Sequence, residues 1–390
     1  MAKANVVIVG GGVGGILTAN LLAKQAQKIK VQLIDATGTH VYQPGWLRVP
    51  FGDYRPESLR YPIRQLLHPS VELIVEPAER IDLEAHRVVL TSGKTVPYDY
   101  LVIGTGSYPH PEEVPGLAQG AHTFYTEEGA VQLGEALKQF RGGRIVVGVS
   151  GFPYKCPPAP HEFTLLLDDW LRANNLRQQT ELTFVTPINR LFPIETVAPV
   201  FENAFKERNI CVETFFNAES VDPEKRVVSS LEGTELKYDL LIMIAPHRGA
   251  SVVSASGLGD RGGWIPTDKQ TLQVKGHENL YALGDATDLP VSKSGAAAHF
   301  EAEVVARRLI EAIEGRIPEH LYDGHVMCMI ETGANRAMLI DFDYQRPPRT
   351  PKPSHTLKIA KGLFRRAYPL AVLKAPLTEG IRFFVRPGEA

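Results

Sequence analysis

Cysteine is scarce in this chain and neither sign of charge dominates. Three cysteines in 390 residues cannot staple a secreted disulfide framework, so each thiol needs a reason of its own. Forty-two Lys and Arg stand against 44 Asp and Glu, for a formal net charge of -2. That balance excludes a global basic surface for nucleic acid and an acidic disordered tail. No uninterrupted apolar run reaches the ~18 residues that span a bilayer. The first strand-like run starts within a few residues of Met1, so no signal peptide is expected. There is no low-complexity segment and no metal-ligand spacing. What remains is a globular composition, 44% hydrophobic and 22% charged, with enough chain for two or three cored domains.

Short apolar runs dominate what is present. Asn5 to Val9 fits a fully buried parallel strand, and it leads into Gly10-Gly11-Gly12-Val13-Gly14-Gly15 and a helical pattern from Ile16. A second buried run, Val31 to Ile34, ends at Asp35. Arg144 to Val149 opens a second unit of the same kind, continued by Leu182 to Val185, Val212 to Phe215 and Leu240 to Ile244. Strands alternating with helices predict an α/β protein with two Rossmann-like domains. The division expected is 1–110 with 255–318 for a discontinuous dinucleotide-binding domain, 111–254 for the second, and 319–390 for a C-terminal region.

Gly10, Gly12 and Gly15 lie between a strand and a helix, with an acid closing the next strand. Glycines admit a pyrophosphate to the backbone, the helix N-terminus favours its charge, and Asp35 accepts from ribose hydroxyls. Further on, Tyr98-Asp99-Tyr100-Leu101-Val102-Ile103-Gly104-Thr105-Gly106 and Asn279-Leu280-Tyr281-Ala282-Leu283-Gly284-Asp285 resemble the second and third signatures of two-dinucleotide-domain flavoproteins. The resemblance implies FAD, with Asp285 on the ribityl chain. Ala78, Thr105, Gly106 and Lys293 complete the cofactor-binding set, and the helix opening near Gly295 directs its positive end at the flavin.

The middle domain lacks the matching glycine fingerprint. It reads Gly148-Val149-Ser150-Gly151-Phe152-Pro153-Tyr154-Lys155-Cys156-Pro157-Pro158-Ala159-Pro160, and proline has no N–H to offer a phosphate. The next strand ends in Thr186-Pro187, with no acid for a ribose. A helix opening on schedule is not expected there, and NADH oxidation is disfavoured.

That loop, together with Met327-Cys328-Met329-Ile330-Glu331-Thr332-Gly333, resembles sulfide:quinone oxidoreductases and the flavin subunit of flavocytochrome c sulfide dehydrogenases. The resemblance covers essentially the full length. It implies that Cys156 and Cys328 take up the sulfur of hydrosulfide and pass two electrons to FAD, and that a membrane quinone accepts them. His161 or Glu162 could accept the proton of hydrosulfide, and Glu162 matches the family segment better. Lys155 is a candidate for lowering the thiol pKa. Two departures stand out: no cysteine in Gly120 to Phe124 and none in Thr39 to Pro44, where relatives attach flavin or carry a third thiol. Non-covalent FAD is expected. Cys211 matches nothing in the family and reads as a small buried hydrophobe.

From Pro351 to Ala390 eight Lys or Arg face two Glu. At helical spacing Lys358, Lys361, Arg365 and Arg366 share one side, and Leu357, Ile359, Ala360, Leu363, Phe364 and Ala367 the other. A basic amphipathic helix of this kind suits an anionic membrane surface. The alternative is a helix packed on the body with its basic side in water. By resemblance, Phe364 or Tyr368 and Met327 enclose the quinone ring. The expectation is a peripheral protein of the cell membrane, with the side left open, and a homo-oligomer is compatible with it. The competing readings are a type II NADH:quinone oxidoreductase, a flavin subunit that reduces a cytochrome, and a flavin-binding sensor without turnover.

Overall fold

A computed structural model describes residues 3–369; the notable part of the basic tail beyond Pro369 lies outside the described residues. Its frame is two parallel sheets. The first has the order Leu280–Ala282, Tyr100–Ile103, Ala4–Val9, Ile29–Asp35, Glu72–Val75. The second repeats the theme with Cys211–Glu213, Thr180–Val185, Gly143–Val149, Leu240–Ile244. In both, the first strand of the unit is central and pairs in parallel on either side, Val6 with Val31 and Tyr100, Val147 with Phe184 and Ile242. Such strands are covered on both faces, which is why Val6, Ile8, Leu33, Ile145 and Val147 are buried and why they read as unbroken apolar runs.

The strand Leu280–Ala282 joins the first sheet although the whole second sheet lies between it and Tyr100–Ile103 in the chain. It brings the helix Gly295–Ile313, capped by the Ser294 hydroxyl, back beside the first helix, Val13–Ala23. A hairpin, Val326–Gly333 with Arg336–Phe342, follows and packs on the helix Ala159–Ala173. The proline-rich segment after Tyr344 forms neither helix nor strand, and the helix His355–Ala367 then lies on the hairpin.

One expectation holds and one needs correction. The helix after the proline-rich loop does not open on schedule: it begins only at Ala159, after Ser150 to Pro158, with Pro158 at its N-cap and Pro160 in its first turn. Proline is tolerated there because the first-turn N–H groups have no partner inside the helix. Cys211 is exposed, not buried, since Cys211–Glu213 is the open edge of the second sheet.

Candidate functional site

One cavity of about 1380 Å³ runs between the two sheets and under the tail helix. Its wall includes Gly10, Gly12, Asp35, Ala78, Thr105, Gly106, Asp285 and Lys293 from the expected cofactor set, and Cys156, Cys328, Glu162, Met327, Phe364 and Tyr368 from the expected chemistry. Gly15 is the exception. It sits beneath the turn, where an added Cβ would stand 2.0 Å from the Gly10 carbonyl oxygen, so it serves close packing of helix on strand.

At one end the turn Gly10 to Gly12 opens directly into the helix Val13–Ala23, whose N-cap Gly12 brings no side chain. Gly10 has φ +111° and no space for a Cβ, which would lie 2.3 Å from the Gly104 oxygen. First-turn N–H groups therefore face the cavity unobstructed, as a pyrophosphate requires. Asp35 accepts from the Gly11 N–H (2.9 Å) and from Thr37 and Gly38 N–H (2.9 and 2.8 Å). These bonds aim the carboxylate and leave capacity for ribose hydroxyls. Further along the wall, the Thr105 hydroxyl and the Trp46 indole N–H are buried without partners. Buried polar groups left this way indicate a ligand that would complete them. The long slot, glycine turn, acid and orphaned donors fit FAD.

Asp285 is pushed up by burial, against the opposing pull of Lys155 and Lys293. Lys293 does not point freely at a ligand. Its ammonium donates to the carbonyls of Thr287 (2.5 Å) and Asp285 (3.3 Å) and lies 4.1 Å over the Trp264 ring. It braces the Asp285 loop. Glu301 braces the same loop by accepting the Gly284 N–H at 2.5 Å, and burial pushes its carboxyl up to about 7.

The two cysteines converge on the start of the helix Gly295–Ile313. The Cys156 N–H donates to the Lys293 carbonyl (2.7 Å), and the Cys328 thiol bonds the Ser294 hydroxyl next to it. Burial raises both thiols, Cys328 to about 11, and the Cys156 thiol is raised further by the nearby Cys328. Lys361 pulls both the other way. The Lys155 ammonium faces Asp285 and the Ser107 carbonyl (3.4 Å) and also interacts with the Cys156 sulfur, as expected; Lys361 from the tail helix, which the sequence did not single out for this role, is a further cation that acts on both sulfurs. Cys156 has φ +51°, a left-handed backbone that a side chain with a Cβ adopts at a cost of ~1–2 kcal/mol. Tyr125, which nothing in the sequence singles out, donates from its hydroxyl to the Cys156 carbonyl (3.2 Å) and helps to hold that conformation.

Glu162 lies in the first turn of the helix Ala159–Ala173 and accepts the Glu331 N–H (3.1 Å), so it ties one cysteine segment to the other. It also pairs with Lys361, and Glu331 pairs with Lys358 (2.5 Å) and Arg48 (3.0 Å). His161 is excluded from the site. It is buried among Phe184, Phe192 and Phe201, donates to the Leu191 carbonyl, and burial lowers it to about 4.

The tail helix is amphipathic as expected, and its packing departs from the alternative with the basic side in water: of the four cations only Arg366 is exposed, while Phe364 packs on the core. Lys358 and Lys361 turn inward to the buried carboxylates, and Arg365 bonds the Tyr61 hydroxyl (2.9 Å) and the Ser58 carbonyl (3.0 Å). Ile359 and Leu363 are 65% and 59% exposed. Buried carboxylates need cations more than solvent does, and that decides the orientation.

The chain matches the model of the family described as "Pyridine nucleotide-disulphide oxidoreductase" over residues 4–154. It is 28% identical to the mitochondrial sulfide:quinone oxidoreductase of Mus musculus, over 88% of this chain and 79% of that one. The solved sulfide:quinone oxidoreductase of Aquifex aeolicus superposes with a TM-score of 0.89 at 25% identity, covering 100% of this chain and 96% of that chain. NDH2 from Plasmodium falciparum, solved with NADH, shares the fold at a TM-score of 0.74 and 14% identity, over 100% and 99% of the two chains. The chain is thus similar to the pyridine nucleotide-disulphide oxidoreductase family over residues 4–154, and to sulfide:quinone oxidoreductases over most of its length.

Proposed function

We propose that this protein is an FAD-dependent sulfide:quinone oxidoreductase in which Cys156 and Cys328 receive the sulfur. The observation that carries the reading is their convergence at one helix N-terminus on the wall of the cavity that fits FAD. Bound there, FAD supplies a two-electron relay between sulfur and quinone. The net reaction balances as HS⁻ + quinone + H⁺ → sulfane sulfur + quinol. The two thiols, free in this structure, would first give two electrons through FAD to quinone and form a Cys156–Cys328 bridge; hydrosulfide then adds to one of its sulfurs, the S–S bond breaks, one cysteine keeps the new sulfur as a persulfide, and the other leaves as thiolate. The thiolate is the reacting form, and Lys361 with the helix N-terminus offsets part of the cost that burial imposes on it. Glu162 is placed to take the proton of the incoming hydrosulfide, being an acceptor on the same wall as both thiols. The cofactor contacts fall to Gly10, Gly12, Asp35, Ala78, Thr105, Gly106 and Asp285, with Lys293 bracing the loop.

Phe364, Tyr368 and Met327 enclose the quinone at the tail end of the same cavity. No helix among the described residues is long and apolar enough to cross a membrane, and the outward strip of Ile359 and Leu363 favours peripheral attachment, apolar side to the lipid. The sheets support the division into 1–110 with 255–318, 111–254 and 319–390, because Leu280–Ala282 pairs with the first sheet. FAD is held without a covalent bond, and acid or heat denaturation is expected to release all the yellow colour. The deciding experiment is anaerobic mixing: sulfide bleaches the flavin and decylubiquinone restores it. Bleaching by NADH and not by sulfide would overturn the assignment in favour of an NADH:quinone oxidoreductase.

A further inference from the structure

His40 belongs to none of the groups above, yet it joins two of them. It sits in the short strand Thr39–Val41, 4% exposed, on the cavity wall. Its Nδ1 lies 3.0 Å from the Gly11 carbonyl oxygen and its Nε2 lies 2.9 Å from the Tyr368 hydroxyl. A carbonyl oxygen only accepts, so Nδ1 carries the hydrogen. Burial lowers the imidazole pKa and keeps the ring neutral. Nε2 then has a lone pair and no proton, and the Tyr368 O–H donates to it. The tautomer and the direction of both bonds follow from one backbone carbonyl. The rings reinforce the arrangement: Tyr368 stacks on His40 (centroids 5.9 Å, 21°) and meets Tyr42 edge-on (4.5 Å, 61°).

Tyr368 stands one residue past the end of the tail helix. The far end of that helix is therefore anchored on the glycine turn of the dinucleotide site, while Lys358 and Lys361 anchor its earlier turns on the cysteine segments. Two consequences follow. Tyr368 has its only proton committed to His40, so it acts at the quinone end as a wall and not as an acid. The neutral His40, with no hydrogen on the side facing Tyr368, cannot resupply one.

We propose that His40 is a positioning residue for the acceptor site: through its hydrogen bond it fixes the Tyr368 ring against the quinone and ties that wall to the Gly10–Gly12 turn. The inference rests on the quinone reading of Tyr368 given above. Its test does not require sulfide. In FAD-loaded protein reduced with dithionite, stopped-flow reoxidation by decylubiquinone gives a saturation constant for quinone and a limiting rate. Tyr368→Phe keeps the ring and removes the bond; His40→Ala removes the partner. Tyr368→Phe is expected to raise the saturation constant about fivefold, the weight of one neutral hydrogen bond, and His40→Ala by at least as much, since it also loses the Gly11 bond, with the limiting rate unchanged. The double variant is expected to match His40→Ala, because the bond that Tyr368→Phe removes is already lost there. ¹⁵N spectra of the His40 ring are expected to show Nδ1 protonated and Nε2 bare, with Nε2 moving in Tyr368→Phe. An unchanged saturation constant in both singles, effects that multiply in the double, or a proton on Nε2 overturns the proposal. Failure of sulfide to bleach the flavin strikes the assigned reaction instead and leaves these readouts interpretable.

Discussion

Two strand–turn–helix units of the same fold handle their turns in opposite ways. In the first, Gly10 to Gly12 carry the chain from Ala4–Val9 straight into Val13–Ala23. In the second, Ser150 to Pro158 intervene between Gly143–Val149 and Ala159–Ala173. The short turn strips side chains away so that N–H groups can meet a phosphate. The long one spends its extra residues on a thiol: Cys156 is held by Tyr125 and the Lys293 carbonyl in a left-handed conformation, and the prolines around it remove N–H groups a nucleotide would need. The sheet beneath is kept in both. The comparison teaches that a Rossmann-like unit can exchange its ligand by rewriting one loop, because the binding chemistry sits at the carboxyl end of the central strand and the core does not depend on it.

The largest expected effect breaks the comparison on the thiol side. Cys156→Ser and Cys328→Ser should each slow sulfide-driven flavin reduction by roughly 10³-fold or more, since a hydroxyl cannot carry sulfur and the pair acts as a unit. FAD absorbance should be retained, and stopped-flow bleaching measures the loss. Next comes a matched glycine test. Gly10→Ala places a Cβ 2.3 Å from the Gly104 oxygen at φ +111°, and Gly148→Ala places one 2.2 Å from the Val185 oxygen. Both should lower the thermal midpoint, but only Gly10→Ala should weaken FAD binding, by about 10–100-fold in a titration of apoprotein, because strain of ~1–2 kcal/mol and a displaced turn fall on the ligand. Equal losses of FAD would erase the distinction between the two turns.

Much of the first unit is legible in the sequence, because buried parallel strands and a glycine turn are local patterns. Asp285 and its helix are legible for the same reason. The second site is legible only in its parts. Nothing local says that Cys156 and Cys328 share the start of Gly295–Ile313, since that depends on a hairpin packing across a helix. The backbone of Cys156 is equally hidden, as is the partner Tyr125. His161 and Glu162 are neighbours with opposite fates, because successive helical residues point about 100° apart and only one reaches the cavity. The docking of the tail helix is hidden too: Lys358 and Lys361 pair with Glu331 and Glu162, which the helical pattern alone cannot reveal.

Smaller effects sharpen the picture of that tail. Ile359→Ser or Leu363→Ser should weaken binding to liposomes about tenfold each, the weight of one apolar side chain only partly buried in lipid, as read by sedimentation; unchanged binding would place the attachment elsewhere. The smallest effect is an acid one. Burial pushes the Glu331 carboxyl up, but Lys361, Arg48 and Lys358 outweigh it and hold the group below its ordinary value of 4.5. A depressed carboxylate gives stability that is complete above the unfolded value and is lost as pH falls through the lowered one. The urea midpoint should therefore be flat above about pH 5.5 for this group and decline below pH 4.5, less steeply in Glu331→Gln.

The central claim is that two distant cysteines form one sulfur site at the flavin cavity. Mild oxidation of the holoprotein, with and without sulfide, followed by non-reducing digestion and mass spectrometry tests it most directly. The Cys156 and Cys328 peptides are expected to be joined to each other, as a disulfide without sulfide and with added sulfur after it. Recovery of the two peptides unlinked and separately alkylated, or Cys156 joined to Cys211, would contradict it.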